Sequence, residues 1–170
     1  MNDVLQRWNR LRAEEAALEV LACCGSSAWA KELSTRRPID DEASLLAASD
    51  EIWSRMSARD WSEAFAHHPR IGERKAPQIA AAQSAKWSEQ EQHDVASASE
   101  TVQSDLAEAN REYERRFGRV FIVCATGKSA DEMLDALRLR LHNDDATELL
   151  TAAEEQRKIT NIRLKKWLGI

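Results

Sequence analysis

At 170 residues the chain is long enough to bury most of its apolar side chains without a disulfide or metal staple, and it reads as one domain over residues 1–170. Three prolines and five glycines in a sequence that is 43% hydrophobic leave few helix breakers among many good helix formers. The net charge of −5, with a pI near 5.5 and no basic stripe, excludes nucleic acid as a partner, because phosphate neutralisation supplies most of that affinity.

No apolar run approaches the roughly 18 residues of a membrane span, and Met1–Arg12 lacks the apolar stretch of a signal peptide. Cys23, Cys24 and Cys124 are odd in number, form no C-x-x-C and read as reduced thiols. A cytoplasmic protein with no membrane partner is expected.

In chain order, Val4, Leu5, Trp8, Leu11, Leu18 and Leu21 fall mainly at three- and four-residue steps, the face of one helix that Gly25 stops. A second short helix spans 28–35 and is ended by Pro38. Asp40 or Asp41 caps a third, with Leu45, Leu46, Ile52, Trp53 and Met56 as its apolar set. Ser57-x-x-Asp60 has the spacing of a capping box and opens a fourth through Trp61 and Phe65.

Residues 67–75 are polar, hold a proline and a glycine and have no period, so they form a loop. Residues 76–86 are alanine-rich and partly helical. Ser88-x-x-Glu91 then reads as a capping box opening the longest helix, about 89–117, which Gly118 ends. Val120–Cys124 is the one strand-like run; a single strand makes no sheet, so a buried extended segment near 120–125 is expected to line a pocket. Ser129-x-x-Glu132 caps a helix through Leu141, His142–Asp144 turns, and a last helix runs from about Asp145 to Leu168. The fold class is all-α, a single-domain helical bundle with one short extended segment.

None of the four histidines, His67, His68, His93 and His142, sits in a zinc spacing, and no phosphate or dinucleotide loop is present, so neither metal nor cofactor is expected. Three features carry chemistry. His68 precedes Pro69, which restricts its backbone and pre-sets its imidazole, the usual acid or base near neutral pH. On the residues alone the commoner reading is a surface histidine beside a helix end. Ser88–Gln92 reads as a plain cap, or as a helix N-terminus offering N–H groups to a polar ligand, with Glu91 free to orient an imidazole. From Glu155 to Leu164 most charges should form a solvated face, with Arg163 able to reach a pocket and hold a carboxylate.

Taken together, Cys24-Gly25-Ser26-Ser27-x-Trp29, Arg37-Pro38, Trp53, Trp61-x-x-Ala64-Phe65, His68-Pro69-Arg70-Ile71-Gly72, Ser88-x-x-Glu91-Gln92, Tyr113-x-x-x-Phe117-Gly118-x-x-Phe121-Ile122-Val123 and Ile159-x-x-Ile162-Arg163-Leu164 resemble the 2-oxo-4-hydroxy-4-carboxy-5-ureidoimidazoline (OHCU) decarboxylase family along nearly the whole chain. The resemblance implies an all-α homodimer without cofactor that converts OHCU to S-allantoin and CO2 in urate degradation. It implies His68 and Glu91 as catalytic residues. As substrate contacts it implies Pro69, Ser88, Glu89, Gln90, Gln92, Arg163 and the backbone of Phe121, Ile122, Val123, Cys124 and Ala125. The chain departs from the pattern in carrying His67 beside His68 and Arg119-Val120 where more apolar residues are expected. Two other readings compete: a helical interaction module without turnover, and a hydrolase of allantoin or another ureide using a water activator.

Overall fold

Caps and glycines place most helix ends where the sequence signals them. The computed structural model describes residues 2–73, 79 and 81–170. Among these the helices are α1 (Asp3–Asn9), α2 (Ala13–Cys24), α3 (Ser27–Thr35), α4 (Glu42–Arg55), α5 (Ala58–Phe65), α6 (Ala82–Glu91), α7 (His93–Ala96), α8 (Glu100–Phe117), α9 (Ala130–Arg140) and α10 (Asp145–Leu168). No strand occurs among the described residues, so the all-α class holds. None of these helices is long and apolar enough to cross a membrane.

Gly25 ends α2 at φ 91° and Gly118 ends α8 at φ 64°, backbone angles that an L side chain adopts only under strain. Asp41 accepts from the Ser44 N–H to start α4, Ser57 and Asp60 bond reciprocally at the start of α5, and Ser129 and Glu132 form a capping box on α9. Two boundaries differ from the periodicity. The first apolar face is split between α1 and α2, because Arg37 donates to the carbonyls of Trp8 (2.8 Å) and Leu11 (2.7 Å) and so satisfies the break. The buried face of α2 is Ala16, Ala17, Val20, Cys23 and Cys24, leaving Leu18 71% exposed.

The second difference is larger. Ser88 does not open a helix; it lies buried inside α6, and Glu91 is the last residue of that helix rather than its third. The expected 89–117 helix is interrupted at Gln92 and again at Ser97–Ser99, and the true cap of α8 is Ser99, which accepts from the Val102 N–H. Ser-x-x-Glu spacing also occurs within helices; burial of Trp87 and Ser88 fixes which reading applies. The longest helix is accordingly α10, at 24 residues.

The chain divides into two compact units, Met1–Ala64 with Arg157–Ile170, and Phe65–Gln156. In the first, α2 packs on α3 and α3 on α4. Asn2 caps α1 and also donates to the Leu168 carbonyl (2.8 Å), and the Trp8 indole donates to the Ala16 carbonyl (2.9 Å). In the second, α8 packs on α9 around Ile71, Val95, Leu106, Tyr113, Phe121, Met133 and Leu137.

A buried polar network fixes the run after α8 in this second unit. Glu148 is fully buried and accepts from Arg140 Nε (2.9 Å), Tyr113 Oη (2.5 Å) and Asn143 Nδ2 (2.9 Å). Arg140 Nη1 donates to the Ile122 carbonyl (2.7 Å), and its guanidinium lies 4.5 Å from the Phe121 ring centroid. All three guanidinium nitrogens and both carboxylate oxygens of the charged pair thus find a partner, the condition under which a buried pair is tolerated. Residues 121–125 are all buried and belong to no helix, as expected of the extended segment.

Candidate active site

His68 stands on the turn that follows α5, its N–H bonded to the Phe65 carbonyl at 3.1 Å. It is buried, as is Pro69. Its Nε2 lies 2.7 Å from Oε1 of Gln156, a fully buried side chain on α10. This settles the alternatives left by the sequence: the imidazole is an interior group with a defined partner, not a surface cap.

The rest of the turn is held by side chains of α8 and by Gln92, which joins α6 to α7. Asn110 of α8 donates to the Ile71 carbonyl (3.0 Å). Gln92, where the chain leaves helical geometry, accepts from the Gly72 N–H through its side-chain oxygen (2.9 Å). Arg70 is paired with Glu114 through both of its carboxylate oxygens and with Glu73. Gly72 has φ 91°, so the turn needs a residue without Cβ there. The expected loop includes Arg74 and Lys75, which lie outside the described residues, as do most of 76–80.

Two helices approach the 121–125 segment within the same unit. Glu155 of α10 accepts from the Cys124 N–H (2.8 Å), and Lys128 Nζ donates to the Cys124 carbonyl (2.9 Å). Burial pushes the Cys124 thiol above its ordinary range; Lys128 opposes this, and the charges of Glu155 and Glu91 add to it. Glu91 is therefore within electrostatic range of the segment. On α6, Ser84, Ser88 and Glu91 recur at helical spacing, with Ser84 and Ser88 buried and Glu91 half-buried. Glu89 and Gln90 are exposed.

Glu155 and Gln156 are the residues that sequence reading missed. Glu155 lies in the stretch whose charges are mostly expected on a solvated face, yet it is buried and bonded. Ala152, Gln156, Ile159 and Arg163 follow one another at four-, three- and four-residue steps, so Gln156 and Arg163 interrupt an apolar stripe, and that interruption is the signal. Arg163 is 1% exposed, described in the first unit, where its charge acts on Cys23 and Cys24; burial pushes the Cys24 thiol up to about 12. Among the described residues no three His, Cys, Asp or Glu side chains converge as a metal would require.

A family model described as OHCU decarboxylase matches residues 9–165. The chain belongs to the OHCU decarboxylase family. It is 38% identical over 144 residues to the uric acid degradation bifunctional protein TTL of Arabidopsis thaliana, a match covering 85% of this chain and 44% of that protein. It is 26% identical over 165 residues to the uric acid degradation bifunctional protein of Bacillus sp. (strain TB-90), covering 95% of this chain and 32% of that one. The chain thus spans less than half the length of either bifunctional relative. A crystal structure of an OHCU decarboxylase in the presence of (S)-allantoin superimposes with a TM-score of 0.77 at 36% identity, over 89% of this chain and 98% of that one. The OHCU decarboxylase match takes in the His68 turn, α6, the 121–125 segment and Arg163.

Proposed function

We propose that this chain decarboxylates OHCU to S-allantoin and CO2 in urate degradation, as one cofactor-free OHCU decarboxylase-like domain over residues 1–170, and that it acts in the cytoplasm as a homodimer. The observation that carries the reading is the burial of His68, with its 2.7 Å contact to Gln156, inside a family match running through residues 9–165.

OHCU bears a carboxylate and a hydroxyl on one ring carbon, beside a C=N carbon that carries the ureido group. When the bond to CO2 breaks, its electron pair moves into the C=N and the ring nitrogen takes up a proton. The resulting enol then gives up its hydroxyl proton as the ureido-bearing carbon gains one. The substrate supplies its own electron sink, so the protein has only to bind the ring and move protons. His68 is the acid and base for these transfers, with Glu91 as its carboxylate partner in catalysis. One-sided proton delivery sets the S configuration.

Pro69 and Ser88 offer buried walls, and the backbone of Phe121–Ala125 offers a row of amide donors and acceptors suited to a ureide. Gln92, Glu89, Gln90 and Arg163 keep the substrate roles that the family resemblance gives them. α6 runs through Ser88, so that residue meets the substrate from within a helix and not from a helix N-terminus.

Circular dichroism of a urate oxidase plus hydroxyisourate hydrolase reaction tests the proposal. With this protein present, a persistent S-allantoin signal should appear quickly in place of slow decay to racemate. His68→Ala should lower kcat by about 10² to 10⁴-fold while staying folded. An unchanged decay in the presence of the protein sinks the decarboxylase reading; a fully active His68→Ala sinks only the histidine assignment.

A further inference from the structure

We propose that Gln156 is a positioning residue that selects the His68 tautomer, fixing the proton on Nε2 so that Nδ1 is the basic nitrogen of the site. The inference rests on the acid–base role given to His68 above.

The two side chains come from segments 88 residues apart and meet at 2.7 Å in a buried environment. The atom of Gln156 that faces the imidazole is its amide oxygen, Oε1. A carbonyl oxygen has no proton to give, so Nε2 must donate, and a neutral imidazole with its proton on Nε2 carries its lone pair on Nδ1. The partner is also neutral. A carboxylate in that position would favour the charged imidazolium, whereas an amide orients the ring and selects a tautomer without adding charge. A group that must both accept and return a proton benefits from that neutrality.

The setting makes the orientation hard to reverse. Gln156 is fully buried and His68 is 8% exposed. Pro69 restricts the His68 backbone, and the adjoining Ile71 and Gly72 are fixed by Asn110 and Gln92. The neighbouring Glu155 bonds the Cys124 N–H, so consecutive residues of α10 hold the histidine and the amide segment in one unit. A fixed spacing between acid–base group and amide row is what a small, rigid ureide requires.

The test reads the tautomer directly. Protein labelled with ¹⁵N in its histidine rings is examined by long-range ¹H–¹⁵N correlation, the His68 pattern being assigned by its loss in His68→Asn. Wild type should show a protonated Nε2 and a lone-pair Nδ1. Gln156→Met, close in size and apolar, should give a mixed tautomer pattern. It should also lower kcat by about 10-fold or more with little change in KM. Gln156→Glu keeps an oxygen acceptor on Nε2 but adds a charge, so its neutral ring should retain the Nε2–H pattern while the imidazolium persists to higher pH and turnover falls near neutral pH. A proton on Nδ1 in wild type overturns the proposal, as does a Gln156→Met protein with unchanged tautomer and kcat. Should Gln156→Met fail to fold, the wild-type pattern and Gln156→Glu still decide. A His68→Ala protein with full turnover removes the acid–base reading yet leaves the tautomer result standing, so the two failures are distinguishable.

Discussion

Arg140 and Glu148 show how a charged pair is used inside this chain. Neither sits in a motif, and eight residues separate them, yet between them they bind Tyr113, Asn143 and the Ile122 carbonyl. Burial, followed by the hydrogen bond to Glu148, raises the Tyr113 hydroxyl well above its ordinary range. Arg140→Met leaves the buried carboxylate without a cation and the Ile122 carbonyl without its donor. We expect a loss of about 3–5 kcal/mol in urea unfolding. A loss under about 1 kcal/mol would show that the pair does not hold the 121–125 segment. Arg119, which stands where the family pattern is more apolar, differs from Arg140: its carboxylate partner Asp145 is exposed, and it lies 5.8 Å from the Phe117 ring centroid.

Among the elements, α6 to α8 differ most from expectation, and the cause is competition between local and distant partners. At Gln92, between α6 and α7, the side-chain amide oxygen binds the Gly72 N–H, 20 residues away. Ser99, which lacks a glutamate three residues on, opens α8 although Ser88 has the better spacing. Ser99→Ala should therefore cost about 1 kcal/mol in urea unfolding and fray the first turn of α8. An unaltered midpoint would argue that packing of Val102 and Leu106 alone sets that end. Helices whose ends are closed by nearby groups behaved differently: α4, α5 and α9 begin at the caps their sequences announce.

Across the whole molecule, the shifted groups define a stability profile with two flanks. The Asp41 and Asp144 carboxylates are held below their ordinary range by the N–H groups they cap at Ser44 and Thr147. Their contribution is present above about pH 5 and is lost as pH falls below about 4, because the unfolded chain takes up protons first. Cys23, Cys24, Cys124 and Tyr113 are raised by burial. Their contribution is full below about pH 8, and declines as pH rises past the ordinary thiol and phenol values of about 8.5 and 10, where only the unfolded chain ionises. Urea midpoints measured from pH 3 to 10 should form a plateau between about pH 5 and 8. A midpoint still rising at pH 9 would contradict the burial of the three thiols.

Helix type, most caps and the membership of a family were determined by the sequence itself, for a physical reason. Glycine at positive φ, a carboxylate or hydroxyl on free N–H groups, and apolar spacing all act within about four residues, and the chain displays them directly. Gly25, Asp41, Ser57, Gly118, Ser129 and the full length of α10 were legible on that basis. His68 was legible as a candidate because Pro69 marks it. Only the tertiary structure decided what that histidine meets. The Gln156 contact, the burial of Glu155 beneath Cys124, the interior place of Ser88 and the break carried by Arg37 each join residues far apart in the chain or depend on what the core excludes from water. Periodicity cannot rank such partners, since one spacing suits a solvated charge and a buried one; desolvation makes the choice, and it acts only once the chain has packed.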